Sequence, residues 1–124
     1  MTGAKLRDAI RALLESHPAI RVSPAGHAAH ALRYLTDRAA PLALEPDRKT
    51  FQNLWVRADC VDLSRLRDVR HESYDHRSFD VSKPNHNLFG EATFKEADLL
   101  RFKIDRLWDA ARVIAEVAGF GGGR

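Results

Sequence analysis

The stretch Ser23-Pro24-Ala25-Gly26-His27-Ala28-Ala29-His30-Ala31-Leu32-Arg33-Tyr34-Leu35-Thr36-Asp37 carries the choice between a helical and a sheet-rich domain. Ser23 suits a helix cap, and Pro24 suits a first helical position, where its missing N–H costs nothing. Ala25, Ala28, Ala29, Leu32 and Leu35 then recur as a narrow apolar face of small residues. The opposite stripe reads His27, His30, Arg33 or Tyr34, and Asp37. The pattern predicts a second helix, entered from a short extended piece at Ala19-Ile20-Arg21-Val22.

On either side the elements are clearer. Leu6, Ala9, Ile10, Leu13 and Leu14 mark one face of an N-terminal helix that stops at Ser16-His17-Pro18. Residues 39–50, with Pro41, Pro46, Asp47 and Lys49, read as a loop. Leu54-Trp55-Val56-Arg57-Ala58 has the composition of a strand. Leu100, Phe102 and Ile104 alternate with Arg101, Lys103 and Asp105, which predicts a half-buried strand with one wet face. Asp105 is placed to cap a last helix with the face Leu107, Ala111, Ile114 and Ala118. The stretch from Val61 to Asn87 is polar and aperiodic, and at roughly 25 residues it exceeds the usual connection. The expected fold is therefore α+β: one mainly helical domain with a small two- to three-stranded sheet. Residues 1–118 form that domain, and the glycines of 119–124 read as a linker or a chain boundary.

The chain has 124 residues, a net charge of +3 and six histidines. Its pI is near 9.4. The basic excess is local, since residues 1–38 hold six Lys or Arg against three acids. Cys60 is the only cysteine, which excludes an intramolecular disulfide, a CxxC redox pair and a thiolate zinc cage. Reduced, cytoplasmic surroundings are the expectation. No apolar run approaches the roughly 20 residues of a membrane span. No P-loop, GxSxG or Cys-His grammar is present, so neither a catalytic residue nor a cofactor is expected. His71, Glu72 and His76 miss the spacing of a zinc helix, because the histidines lie five apart rather than four. No metal is expected either.

Two groups of residues suit a nucleic-acid backbone. Arg21, Ser23, Pro24 and Ala25 surround the expected helix start, where free N–H groups favour a phosphate, and His27, His30 and Arg33 continue that stripe. The alternative is a plain capped helix with surface histidines. The second group is Tyr74, His76 and Arg77, followed by Lys83, Pro84, Asn85 and His86. These residue types contact phosphates and base edges. Asp68, Glu72, Asp75 and Asp80 are interleaved, so a solvated loop with local ion pairs is the other reading.

From Phe51 to Val117 the order of features is distinctive: Asn53-Leu54-Trp55-Val56, then Tyr74 and His76-Arg77, then Lys83-Pro84-Asn85-His86. Lys95-Glu96-Ala97-Asp98-Leu99-Leu100-Arg101-Phe102-Lys103-Ile104 and a closing helix complete it. This order resembles the sulfur-binding domains of type IV, McrA-type restriction endonucleases. The resemblance implies a module that binds double-stranded DNA with a phosphorothioate backbone and targets a separate HNH nuclease domain beyond the C-terminal glycines. It also implies a proline ring facing sulfur, supplied here by Pro24 with Ala25 or by Pro84. Tyr74, His76 and Arg77 would form the wall. Arg21, His27, Arg33, Lys83, Asn85 and His86 would hold the backbone or enter the groove. No adjacent Tyr-Pro pair, the family's usual device, occurs in this chain. Generic DNA binding, a small histidine-based enzyme and a protein-interaction domain without DNA affinity are the alternatives.

Overall fold

The computed structural model describes residues 2–120. Six antiparallel strands form one sheet: β1 (Ile20–Val22), β2 (Leu32–Thr36), β3 (Pro41–Leu44), β4 (Gln52–Arg57), β5 (His71–Tyr74) and β6 (Leu99–Ile104). Their spatial order is β1-β2-β3-β4-β6-β5. Helices α1 (Gly3–Ser16) and α3 (Leu107–Gly119) pack together on one face, and a one-turn helix α2 (Phe79–Ser82) lies between β5 and β6 in sequence. The expected mainly helical domain with a small sheet is thus overturned. The strands expected around 54–58 and 99–104 are present as β4 and β6, paired with each other, but they are two strands of a six-stranded sheet.

The error began at Ser23. No helix follows it. Gly26 takes a left-handed φ of +74°, and an isolated bridge joins Ala28 to Ala31, so the chain turns tightly. Leu32-Arg33-Tyr34-Leu35-Thr36 then runs as an inner strand with every residue buried. A strand covered on both faces shows no alternation, which removed the period-two signal. The alanines that mimicked a helical face are turn residues. Residues 39–50 are likewise more than a loop, because Pro41–Leu44 pairs with both β2 and β4. The polar stretch 61–87 is anchored by Leu66 and Val69 in the core and by the edge strand β5.

Each face has its own apolar cluster. Toward the helices, Leu6, Ile10 and Leu14 of α1 and Val113, Ile114 and Val117 of α3 meet Tyr34, Leu42, Leu54, Leu100 and Phe102. The face of α3 is rotated from expectation: Ala110, Val113 and Val117 are buried, while Leu107, Ala111 and Ala118 are half-buried. Arg106, not Asp105, occupies its cap, without a side-chain bond. On the outer face Trp55, Tyr74 and Leu99 are covered by Leu88 and Phe94. Phe120 packs on the helix-side core, and the remainder of the glycine tail lies outside the described residues. No helix among the described residues is long and apolar enough to cross a membrane.

Candidate nucleic-acid interface

Residues 23–33 of the first expected group and 83–86 of the second, with the segment that continues to Glu91, meet at one end of the sheet. The Asn85 side-chain amide donates to the His30 carbonyl at 2.9 Å. Ser23 Oγ donates to Glu91 Oε1 at 2.6 Å. Arg33 donates to the carbonyls of Gly26 at 2.7 Å, Ala25 at 3.1 Å and Asn87 at 3.0 Å. Burial pushes the Glu91 carboxyl up, but the bonds from Ser23 and Thr93 outweigh it and hold the group below the ordinary carboxylate range.

This stitching uses up several expected contacts. Ser23, Arg33, Tyr74 and Pro84 are all buried. Arg33 is a clamp on three carbonyls rather than a backbone-tracking cation. Tyr74 packs on Trp55 with ring centroids 4.9 Å apart. His27 is half-buried and its Nδ1 accepts the Arg33 N–H at 2.9 Å. Burial, and then the nearby Arg11, lowers its pKa below 6.5. The helix-start phosphate cradle does not exist, because no helix starts there.

Pro24, Ala25, His30, Lys83 and His86 remain exposed at this end, with Arg21 exposed at the neighbouring edge strand. Arg21 donates to the Thr36 carbonyl at 3.3 Å and lies 3.5 Å from Asp37. His30 Nδ1 lies 2.5 Å from Asp47, which ties this surface to the β3–β4 loop. That loop and the start of α1 enclose a cavity of about 490 Å³ lined by Thr2, Gly3, Ala4, Arg7 and residues 46–49. Among the described residues, Lys49 and Lys83 have no carboxylate partner.

His76 and Arg77 belong elsewhere. The registers place the end of β5 beside the start of β6, opposite the end at which β2 begins. Strands of this length separate the two ends by about 17 Å. There His76 Nδ1 lies 2.7 Å from Asp98, and Arg77 holds Asp75 through two bonds of 3.1 and 2.8 Å. These bonds hold the Asp75 carboxyl down at about 2. Asp75, His76 and Asp98 present possible ligand atoms within 4.8 Å of one another, the one such group among the described residues. The Arg77 guanidinium already occupies the carboxylate of Asp75. Asn53, Arg101 and Lys103, on the outer face of the sheet, are not among the residues expected at a site. The alternation at 100–105 marked the two cations as one face, but nothing in the apolar run at 53–56 marked Asn53. Comparison with protein-family models, with curated proteins and with solved structures returned no match.

Proposed function

We propose that the chain binds the backbone of double-stranded DNA through the end of the sheet built from Pro24, Ala25, His30, Lys83 and His86. The observation that carries this reading is the Asn85–His30 bond of 2.9 Å, which joins two segments rich in phosphate-contacting residues into one surface. Lys83 supplies charge, and His30 and His86 supply ring N–H donors. The Pro24–Ala25 pair offers an exposed apolar patch beside them. A phosphorothioate sulfur is larger and less hydrated than oxygen, so it loses less on meeting such a patch. Because Pro84 is buried, Pro24 is the proline that would face sulfur. The same reading makes the domain a targeting module for a nuclease domain.

Anisotropy titration of two identical duplexes, one carrying a single phosphorothioate, tests this. The sulfur duplex is expected to bind at least tenfold tighter, about 1.4 kcal/mol. Affinity for both should fall with salt, since phosphate contacts release counterions. Lys83→Ala should weaken both duplexes, and Pro24→Ala should remove mainly the sulfur preference. Equal affinity reduces the reading to generic DNA binding, and binding indifferent to salt overturns it. A protein-interaction reading has one observation of its own: Trp108, at the start of α3, is 69% exposed.

A further inference from the structure

Three buried polar atoms without a hydrogen-bond partner lie together on the outer face of β4 and β6: Oδ1 and Nδ2 of Asn53, and Nε of Arg101. The register places Asn53 opposite Lys103 and Trp55 opposite Arg101, so these four side chains form one rectangle. Asn53 is only 1% exposed. Its neighbours are committed elsewhere. Glu45 accepts from Trp55 Nε1 at 2.6 Å and from Arg48 at 3.1 Å. Glu72 is shared by Arg101 at 2.8 Å and Lys103 at 3.4 Å. The Lys103 ammonium lies 5.4 Å from the centre of the Phe51 ring.

A buried amide with neither of its groups paired is costly, because each group gives up its bonds to water and gains none in return. Packing alone would have favoured an apolar side chain here, like Trp55 two positions further along the same face. Asn53 offers one donor and one acceptor side by side. That pair matches the adjacent acceptor and donor on the edge of a nucleobase, as in the Asn–adenine pairing. Phe51 offers a ring face for stacking, at present covered by a flexible lysine. Arg101 adds an N–H, and with Lys103 it brings two cations against the single carboxylate of Glu72.

We infer that Asn53, Phe51, Arg101 and Lys103 form a nucleobase site. A planar base enters as Lys103 swings off Phe51, stacks on that ring, and pairs its donor–acceptor edge with the Asn53 amide. Arg101 Nε donates to a remaining ring or exocyclic acceptor. The base would come from a free mononucleotide or from an unpaired position in DNA. The inference stands apart from the backbone reading, because its mononucleotide arm needs no duplex.

The test follows the Asn53 side-chain NH2 resonances of the full chain by NMR during titration with the 5′-monophosphates of A, G, C and T. A parallel titration uses a duplex with one unpaired base and its fully paired twin. At least one base should shift the Asn53 resonances saturably. Shifts with mononucleotides assign a free nucleotide; shifts only with the unpaired duplex assign a DNA base. Asn53→Leu, which removes the unsatisfied amide and should fold at least as stably, is expected to weaken that binding at least tenfold. Phe51→Leu, at a half-buried position, should weaken it severalfold. Absence of any shift in both titrations, or full binding by Asn53→Leu, overturns the site and leaves a buried water as the partner of Asn53.

Discussion

Cys60 illustrates how burial decides reactivity. It is 3% exposed, and burial together with the adjacent Asp59 pushes its thiol up to about 12. The thiolate is the reactive species, so native protein at pH 8 should fail to react with a disulfide reagent and should react fully once unfolded in urea. His27 makes the opposite kind of prediction. Its folded pKa is below its unfolded value, so the unfolded chain binds the extra proton and stability drops as pH falls below about 6.5. The loss levels off once pH is below the folded pKa. Its origin is concrete, because a proton on Nδ1 removes the acceptor for the Arg33 N–H. Thermal melts at pH 7.5 and 5.5 should show a lower Tm at the acid value, and His27→Gln should shrink that difference.

At the scale of elements, the turn before β2 and the segment after α2 are held by one side chain. Arg33→Ala would strand three carbonyls and is expected to cost about 3 kcal/mol in urea unfolding. Gly90 is coupled to it, because a Cβ there would sit 1.7 Å from Arg33 Nη1. Gly90→Ala should therefore be strongly destabilising alone and nearly neutral in the Arg33→Ala background, a non-additivity that a double-mutant cycle reads directly. The β2–β3 turn holds Ala39 at φ 61°, a conformation that costs a Cβ-bearing residue about 1–2 kcal/mol. Ala39→Gly should accordingly raise Tm, with the gain reduced by the greater freedom of glycine when unfolded.

These elements also show what could be read from the chain. The helix over 3–16 was legible because one of its faces is buried and the other is wet, so its period survives in the sequence. The strand at 99–104 was legible for the same reason. β2 and β3 were not, because both are covered on two sides and their composition follows neither period. Arg33 misled in a particular way: a charged residue reads as surface, and only its three carbonyl partners, up to 54 positions away, make its burial possible. The proposed interface was half legible. His30 was named in one group and Lys83 and Asn85 in another, and only the fold brings them side by side, while His76 and Arg77, named with the second group, belong to the far end of the sheet.

Across the whole molecule, stability rests on the helix-side core. Ile10 is fully buried in it, so Ile10→Ala should cost about 2–5 kcal/mol by urea unfolding. Val81 is 77% exposed, and Val81→Ala should change stability by less than about 0.5 kcal/mol. The amino-acid order alone determined the first and last helices, two of the six strands, the lack of a second cysteine for a disulfide and a supply of side chains of phosphate-contacting types. Tertiary structure decided that six strands rather than two or three form the sheet. It also decided which basic residues are spent on carbonyls and which face solvent, and it left the Asn53 amide unpaired. The physical reason is that hydrophobic periodicity records only whether a side chain faces water. Partners for a buried polar group come from distant segments, and their arrival depends on strand order and register.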